Sequence, residues 1–430
     1  MKVKLLYVPV LCLILILCGC QNKVERHKLL EREQRTHQNG RDIQQYIADV
    51  KNQKEKAVID FINSLSMEER VAQLFVVNIV GNDFFVPVEE NIAGCFLFFN
   101  YNVAATVPAM INYNQSIIDY CRQNNKIPPL LSIDQEGGYV NRLRSLNGPL
   151  PSAERVSTKL SSSLARELYK YQSQQMKLLG FNLNFAPVVE VCTKDNEQFL
   201  TERSFGNLEK VLEYGTACVN AYEKNGVGTV LKHFPGNTNT DPHTGLPEIQ
   251  WSSKELEMQL EPFEQLVKLN PAGILMSHAR VKGYDQENPA CLSKYWVTDV
   301  LRNKYNYQRL IFSDDIFMGA LADNGYPPDV AVVAAIEAGI DCIMISEKRI
   351  QTSVEILCKK ADSDSQFANR LDESVRRMIE YKISAGILSI QLMENGTYAV
   401  VINYPETDPD DYEQFEQIKQ QNIKLYLENF

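Results

Sequence analysis

A chain of 430 residues, 44% of them hydrophobic, is long enough to bury the core of one large domain. Its 54 acidic side chains outnumber 44 basic ones, and no basic cluster suits a phosphate backbone, which argues against nucleic acid as a partner. Seven cysteines beyond residue 20 (Cys95, Cys121, Cys192, Cys218, Cys291, Cys342 and Cys358) are scattered without a CxxC pair, so they read as small core residues and not as a disulfide framework or a zinc site.

The chain begins with Lys2 and Lys4 ahead of an apolar run from Leu5 to Cys18, too short for a stable spanning helix and flanked like a signal peptide. Its end, Leu17-Cys18-Gly19-Cys20, resembles a bacterial lipobox. That implies cleavage before Cys20, lipidation of Cys20 and an extracytoplasmic protein whose one membrane contact is lipid. Without Lys2 and Lys4 the mature chain has 42 basic against 54 acidic residues. Residues 21–56 are charged and Gln-rich, with Ile43, Ile47 and Val50 as a thin apolar stripe, and read as a helical tether.

From residue 57 to 388, apolar β-branched runs alternate with helical-period segments. The strand candidates are Gln73–Val80, Gly94–Phe99, Pro129–Asp134, Phe181–Val189, Val227–His233, Gly273–His278, Leu310–Asp314 and Asp341–Ser346. Eight such units predict an α/β fold of the (β/α)₈ barrel type. An open doubly wound sheet gives a similar string, but no GxGxxG follows the first strand. Ser66-Met67-Glu68-Glu69 is a capping box, and helices are predicted over Thr106–Asn124, Ser162–Leu179, Leu208–Lys224, Ser253–Leu269, Asp329–Ala338 and Ser365–Ala385. Residues 389–430 form a tail that pattern leaves unassigned, and partner docking is one reading of it.

In a barrel of this kind the site gathers at the carboxyl ends of the strands. Residues 134–138 (Asp-Gln-Glu-Gly-Gly) fall after strand three, Lys232-His233-Phe234-Pro235-Gly236 after strand five, His278 after strand six, and Ser313-Asp314-Asp315 after strand seven. Asp314 follows a rigid apolar strand and would project at the mouth. A helix-capping role is the competing reading of the pair, and it fits Asp315 better than Asp314. Asp241-Pro242-His243, in the Thr/Asn-rich loop after strand five, sets a carboxylate where it can orient an imidazole, although a solvated turn would look the same.

Taken together, IDQEGG (Ile133–Gly138), FAPV (Phe185–Val188), ERSFG (Glu202–Gly206), KHFPG (Lys232–Gly236), Asp241-x-His243 and FSDDIFMGA (Phe312–Ala320) resemble glycoside hydrolase family 3, in its β-N-acetylglucosaminidase branch. The likeness runs from about Leu65 to about Leu388 with the motifs in family order. It implies a retaining enzyme that needs neither metal nor cofactor and trims terminal β-linked N-acetylhexosamine from an oligosaccharide. Carried over by position, Asp314 is the expected nucleophile, His243 the acid/base and Asp241 its orienting partner. Asp134, Arg142, Arg203, Lys232 and His233 are expected to bind sugar hydroxyls, a role suited to charge-assisted hydrogen bonds. A buried ion-pair network, with Arg203 on Glu202, is the alternative reading of these charges.

This chain departs from the family pattern at Asn237, in the shorter spacing to Asp241, at Pro242, at Tyr139 and at Phe317, which is expected to reshape the pocket. Two other functions stay open: phosphorolysis by the same site, since an imidazole repels phosphate less than a carboxylate does, and sugar binding by a lipoprotein with a decayed site.

Overall fold

A computed structural model of the chain describes residues 44–241, 245–346, 348–408 and 410–430. The leader, Cys20 and His243 lie outside these residues. By internal contacts the chain divides into two units: residues 1–57 with 392–399, and residues 58–391 with 400–430. Residues 44–64 are helical. No helix among the described residues is long and apolar enough to cross a membrane.

The larger unit is a parallel barrel. Its strands are β1 (Phe75–Asn78), β2 (Cys95–Phe98), β3 (Leu130–Ile133), β4 (Leu183–Asn184), β5 (Gly228–Phe234), β6 (Gly273–Met276), β7 (Leu310–Phe312) and β8 (Ile343–Ile345). Each pairs in parallel with the next from β1 to β7, and β8 returns to β1 through Phe75↔Ile343. A parallel bridge from Phe312 to Cys342 joins the seventh strand to the eighth and closes the ring. All eight predicted strands are present, each shorter than its apolar run except at β5, whose end reaches one residue further. The runs are legible because a strand covered on both faces reads as continuous apolar sequence.

Inside the ring, Phe312 meets Phe185 edge to face at 5.1 Å. A Cβ at Gly273 would lie 2.4 Å from Cε2 of Phe312, so the missing side chain in β6 is the space that the ring fills. Outside, the helices begin where capping chemistry places them. Ser66 and Glu69 form the reciprocal box, and Thr106, Ser161, Asn207 and Ser252 each accept a backbone N–H at the head of a predicted helix.

Among the helices not expected from pattern are two between β6 and the final predicted helix. Residues Tyr295–Lys304 are wound as a π-helix, whose period misses the 3.6-residue repeat, and Gln351–Ser363 begins at Ile350 without a side-chain cap. In the tail, residues 405–407 lie on the helix Val107–Gln123: Gln115 bonds Pro405 O and the Thr407 amide, and Arg122 pairs with Glu406 at 3.3 Å. Beyond them the helix Asp411–Asn429 packs on the barrel unit, with Phe415 and Leu425 buried, Asn422 donating to Pro149 O at 3.1 Å, and Arg155 over the Phe430 ring.

At the amino end of β8 the wholly buried carboxylate of Asp341 gathers three guanidinium groups. Arg370 and Arg377 approach at 3.1 Å, Arg302 closes on the other oxygen, and the Ile311 amide donates at 2.9 Å. This one side chain ties β7, the π-helix and the helix Ser365–Ser384 together. Asp341→Asn leaves that cationic cluster without its buried counter-charge, although the exposed Glu373 still pairs with Arg370 and Arg377. It is expected to cost about 3–5 kcal/mol of stability, measured as a lowered thermal midpoint and urea midpoint; an unchanged midpoint contradicts this role.

Candidate active site

Lys232 and His233 are consecutive in β5, so regular pleating would send them to opposite faces. The pairing of β5 with β6 shifts register between Lys232 and Phe234, a bulge with His233 as the extra residue. Both side chains thereby line one cavity at the carboxyl ends of the strands, of about 290 Å³, together with Asp134, Glu136, Arg142, Arg203, Asp314 and Asp315. Five of the expected sugar-binding residues and the expected nucleophile thus share one pocket.

The charges are ordered. Lys232 Nζ lies 2.6 Å from both Asp134 Oδ1 and Glu136 Oε1. Glu136 is forked by Arg203, with Nε at 2.8 Å and Nη2 at 3.0 Å. Burial works to raise the Glu136 carboxyl, but Arg203 and Lys232 outweigh it and hold the group far below the usual carboxylate range. The partner of Arg203 is therefore Glu136 and not Glu202, which instead accepts the Tyr139 amide at 3.0 Å. Glu136 bridges β3 to the loop after β4, and neighbouring motif residues outshone it in the sequence. Arg142 stands over the Phe99 ring at 5.7 Å, and its Nε has no hydrogen-bond partner among the described residues. Phe199 supports the opposite cation, lying 5.5 Å under Arg203 and edge-on to His233 at 5.9 Å.

Asp314 and Asp315 take different partners, but neither caps the next helix, Gly319–Ala322, whose N-cap is Met318. Asp315 Oδ1 accepts the amides of Phe317 and Ser346, each at 3.0 Å, which staples the end of β7 to that of β8. Among the described residues, Asp314 Oδ1 accepts the next amide alone, at 2.8 Å. Burial raises the Asp314 carboxyl, but the imidazoles of His278 and His233, that amide and Lys232 prevail, so it sits below its ordinary value and is ionised at neutral pH. His278 stands behind the turn, with Nε2 3.0 Å from Asp315 O and Nδ1 3.2 Å from Cys291 Sγ.

One further expectation is corrected. Phe317 does not line the pocket; it packs against the core, and Met318 takes the place beside Asp314. Tyr139 is 76% exposed and is likewise outside the cavity, which receives its neighbour Val140. Asp241 is exposed and outside the lining, with its carbonyl accepting the Gly245 amide at 3.0 Å. The sequence also gave no role to Glu190, whose side chain is wholly buried 2.7 Å from His233 Nδ1. A charged residue inside the apolar run Phe185–Val191 was the available signal, since such a group demands a partner.

Replacing Glu136 with Gln removes the anion shared by Arg203 and Lys232, at a cost of about 3–5 kcal/mol near neutrality. Because the folded-state group titrates below its unfolded value of about 4.3, its contribution is complete above that pH and is lost as pH falls toward the lower folded value. Urea titrations at pH 7 and pH 3 should show the wild-type advantage over Glu136→Gln shrinking at the lower pH. An advantage that grows there contradicts the assignment.

Residues 66–381 match the Glycosyl hydrolase family 3 N terminal domain. Beta-hexosaminidase A of Pseudoalteromonas piscicida is 29% identical over 329 residues, a match that takes in 68% of this chain but only 53% of that protein, about half its length. Beta-hexosaminidase LpqI of Mycobacterium tuberculosis is 28% identical over 332 residues, covering 74% of this chain and 83% of the relative. Among solved structures, a glycoside hydrolase family 3 beta-N-acetylglucosaminidase from Paenibacillus superposes with a TM-score of 0.70 at 25% identity, over 82% of this chain and 68% of that one. LpqI of M. tuberculosis superposes at 0.63 and 28%, over 74% and 94%. The barrel, the ordered motifs and these likenesses agree: the chain belongs to glycosyl hydrolase family 3.

Proposed function

We propose that the chain is a retaining, exo-acting β-N-acetylglucosaminidase that releases terminal β-linked N-acetylhexosamine from peptidoglycan fragments or chitin-like oligosaccharides. One observation carries the reading: an ionised carboxylate, Asp314, shares a small cavity with Asp134, Arg142, Arg203, Lys232 and His233. A volume of about 290 Å³ is at the small end of ligand pockets, which suits one terminal ring. The names of the β-hexosaminidase relatives support the sugar class.

In this mechanism Asp314 attacks the anomeric carbon through an oxocarbenium-like transition state while His243 gives its proton to the leaving oxygen. A covalent glycosyl-enzyme forms on Asp314. His243, oriented by Asp241, then takes a proton from water, which attacks the same carbon and frees Asp314, so two inversions give net retention. The buried cations need no reorganisation as charge develops on the ring, because Glu136 and Asp134 already hold them. The roles of His243 and Asp241 rest on the family resemblance. Anchoring through a diacylated Cys20 outside the cytoplasm belongs to the same proposal and rests on the lipobox. Metabolic labelling with palmitate should mark the wild type and not Cys20→Ser.

Protein lacking residues 1–20 should release nitrophenol from the β-N-acetylglucosamine aryl glycoside, with the β-anomer of the sugar as first product by NMR. Asp314→Asn should abolish turnover, and His243→Ala should slow it by about 10²–10⁴-fold on substrates with poor leaving groups. Since Asp314 sits below its ordinary value, the acid limb of kcat/KM should lie below about pH 4. Failure to cleave any β-glycoside or β-N-acetylglycoside would sink the reading, and a sugar 1-phosphate as product in phosphate buffer would replace it with phosphorolysis.

A further inference from the structure

The carboxylate of Glu190 is the least explained charge near the pocket. It is wholly buried, and His233 is its one directly bonded ionisable partner among the described residues. Its bonds go to two places. Oε1 accepts from the His233 ring at Nδ1 (2.7 Å) and from the His233 amide (3.3 Å), while Oε2 accepts the Asn237 amide (2.7 Å); the Asn237 side chain adds a longer contact at 3.4 Å. Between these partners the chain turns at Gly236. There φ is +142°, and a Cβ would lie 2.7 Å from the Trp251 ring, so a side chain at this position is disfavoured.

Just past Asn237 the backbone is pegged a second time. Asn239 Oδ1 accepts the Gln198 amide and its Nδ2 donates to Lys194 O, both at 2.8 Å. Gln198 adjoins Phe199, the ring edge-on to His233. The pocket wall at His233 and the root of the segment leading to Asp241 are therefore fastened to the same stretch, residues 190–199.

We propose that Glu190 is a positioning residue: one carboxylate holds His233 with Nδ1 protonated and Nε2 turned to the sugar, and also fixes Asn237, so that sugar-binding wall and loop root are set together. A carboxylate is suited to this because both oxygens only accept. In Glu190→Gln one half of the group becomes a donor: facing Asn237 it leaves that N–H unpaired, and facing His233 it either leaves the ring N–H unpaired or drives the proton from Nδ1 to Nε2. The sugar-facing part of the proposal rests on the glycosidase reading, whereas the two bonds do not.

The test uses the full-length chain. With only five histidines in the sequence, ¹⁵N histidine spectra of the wild type can be resolved. They should show a proton on His233 Nδ1 that exchanges slowly with water; an unprotonated or freely exchanging Nδ1 overturns the proposal without recourse to any variant. In Glu190→Gln, hydrogen exchange at the Asn237 amide should quicken at least tenfold. At the same time kcat/KM should fall by about 10–100-fold, the range lost when the outer partner of a working imidazole is removed. Unchanged exchange at Asn237 together with unchanged kcat/KM also overturns it. Absence of turnover in the wild type would refute the glycosidase reading alone, since the spectra and the exchange rates would still decide the role of Glu190.

Discussion

The ammonium of Lys232, 3% exposed and 2.6 Å from two carboxylates, is the contact on which the rest of the site depends. Taking an ammonium and two carboxylates out of water is costly, and mutual attraction repays that only when geometry is good and the remaining donors are used. Here the repayment runs through Glu136, which shares its charge between Lys232 and the fork of Arg203. Removing any one member exposes the others to the full cost of burial. The array therefore locks β3, β5 and the loop after β4 at the pocket mouth, and their side chains reach the cavity already oriented.

How much of this was legible differs by layer. Strands covered on both faces announce themselves as apolar runs, and helices announce themselves at their caps, so the barrel could be read. The place of Asp314 could be read because a charge two residues past the apolar strand Leu310-Ile311-Phe312 falls at the barrel mouth. The partner of Arg203 could not. Glu202 is adjacent in sequence and Glu136 is 67 residues away, and only the closed ring brings the latter within 3 Å. The side chain of Phe317 was misjudged for a related reason: in a turn held by Asp315, neighbouring residues point to different sides, and register there follows the staple and not a strand period.

The tail shows how a single residue can hide a helix. Phe415, Ile418, Asn422 and Leu425 are the buried positions of Asp411–Asn429, spaced as one helical face. The polar Asn422 interrupts the apolar stripe in sequence, yet in the fold it is satisfied by the Pro149 carbonyl. The acidic stretch before it resembles a solvated linker by composition, but it is held by Gln115 and Arg122 from a helix of the barrel.

The neighbours Asp314 and Asp315 divide their labour by environment. Asp315 is pushed up by burial, then partly restrained by the amides it binds, with the charge of Asp314 adding to the rise. Asp314 is drawn down by the imidazoles and Lys232 despite burial. Adjacent carboxylates driven in opposite directions are the mark of two distinct tasks. The one that titrates high is stapled to two backbone amides across β7 and β8 and keeps the turn rigid. The one that titrates low spends, among the described residues, one bond on the next amide, and spare lone pairs are what a carboxylate needs if it is to meet an electron-poor carbon. Rigidity of the turn thus falls to Asp315, and the Asp314 carboxylate one residue away, bonded among the described residues to the next amide, is left suited to the nucleophilic role proposed for it.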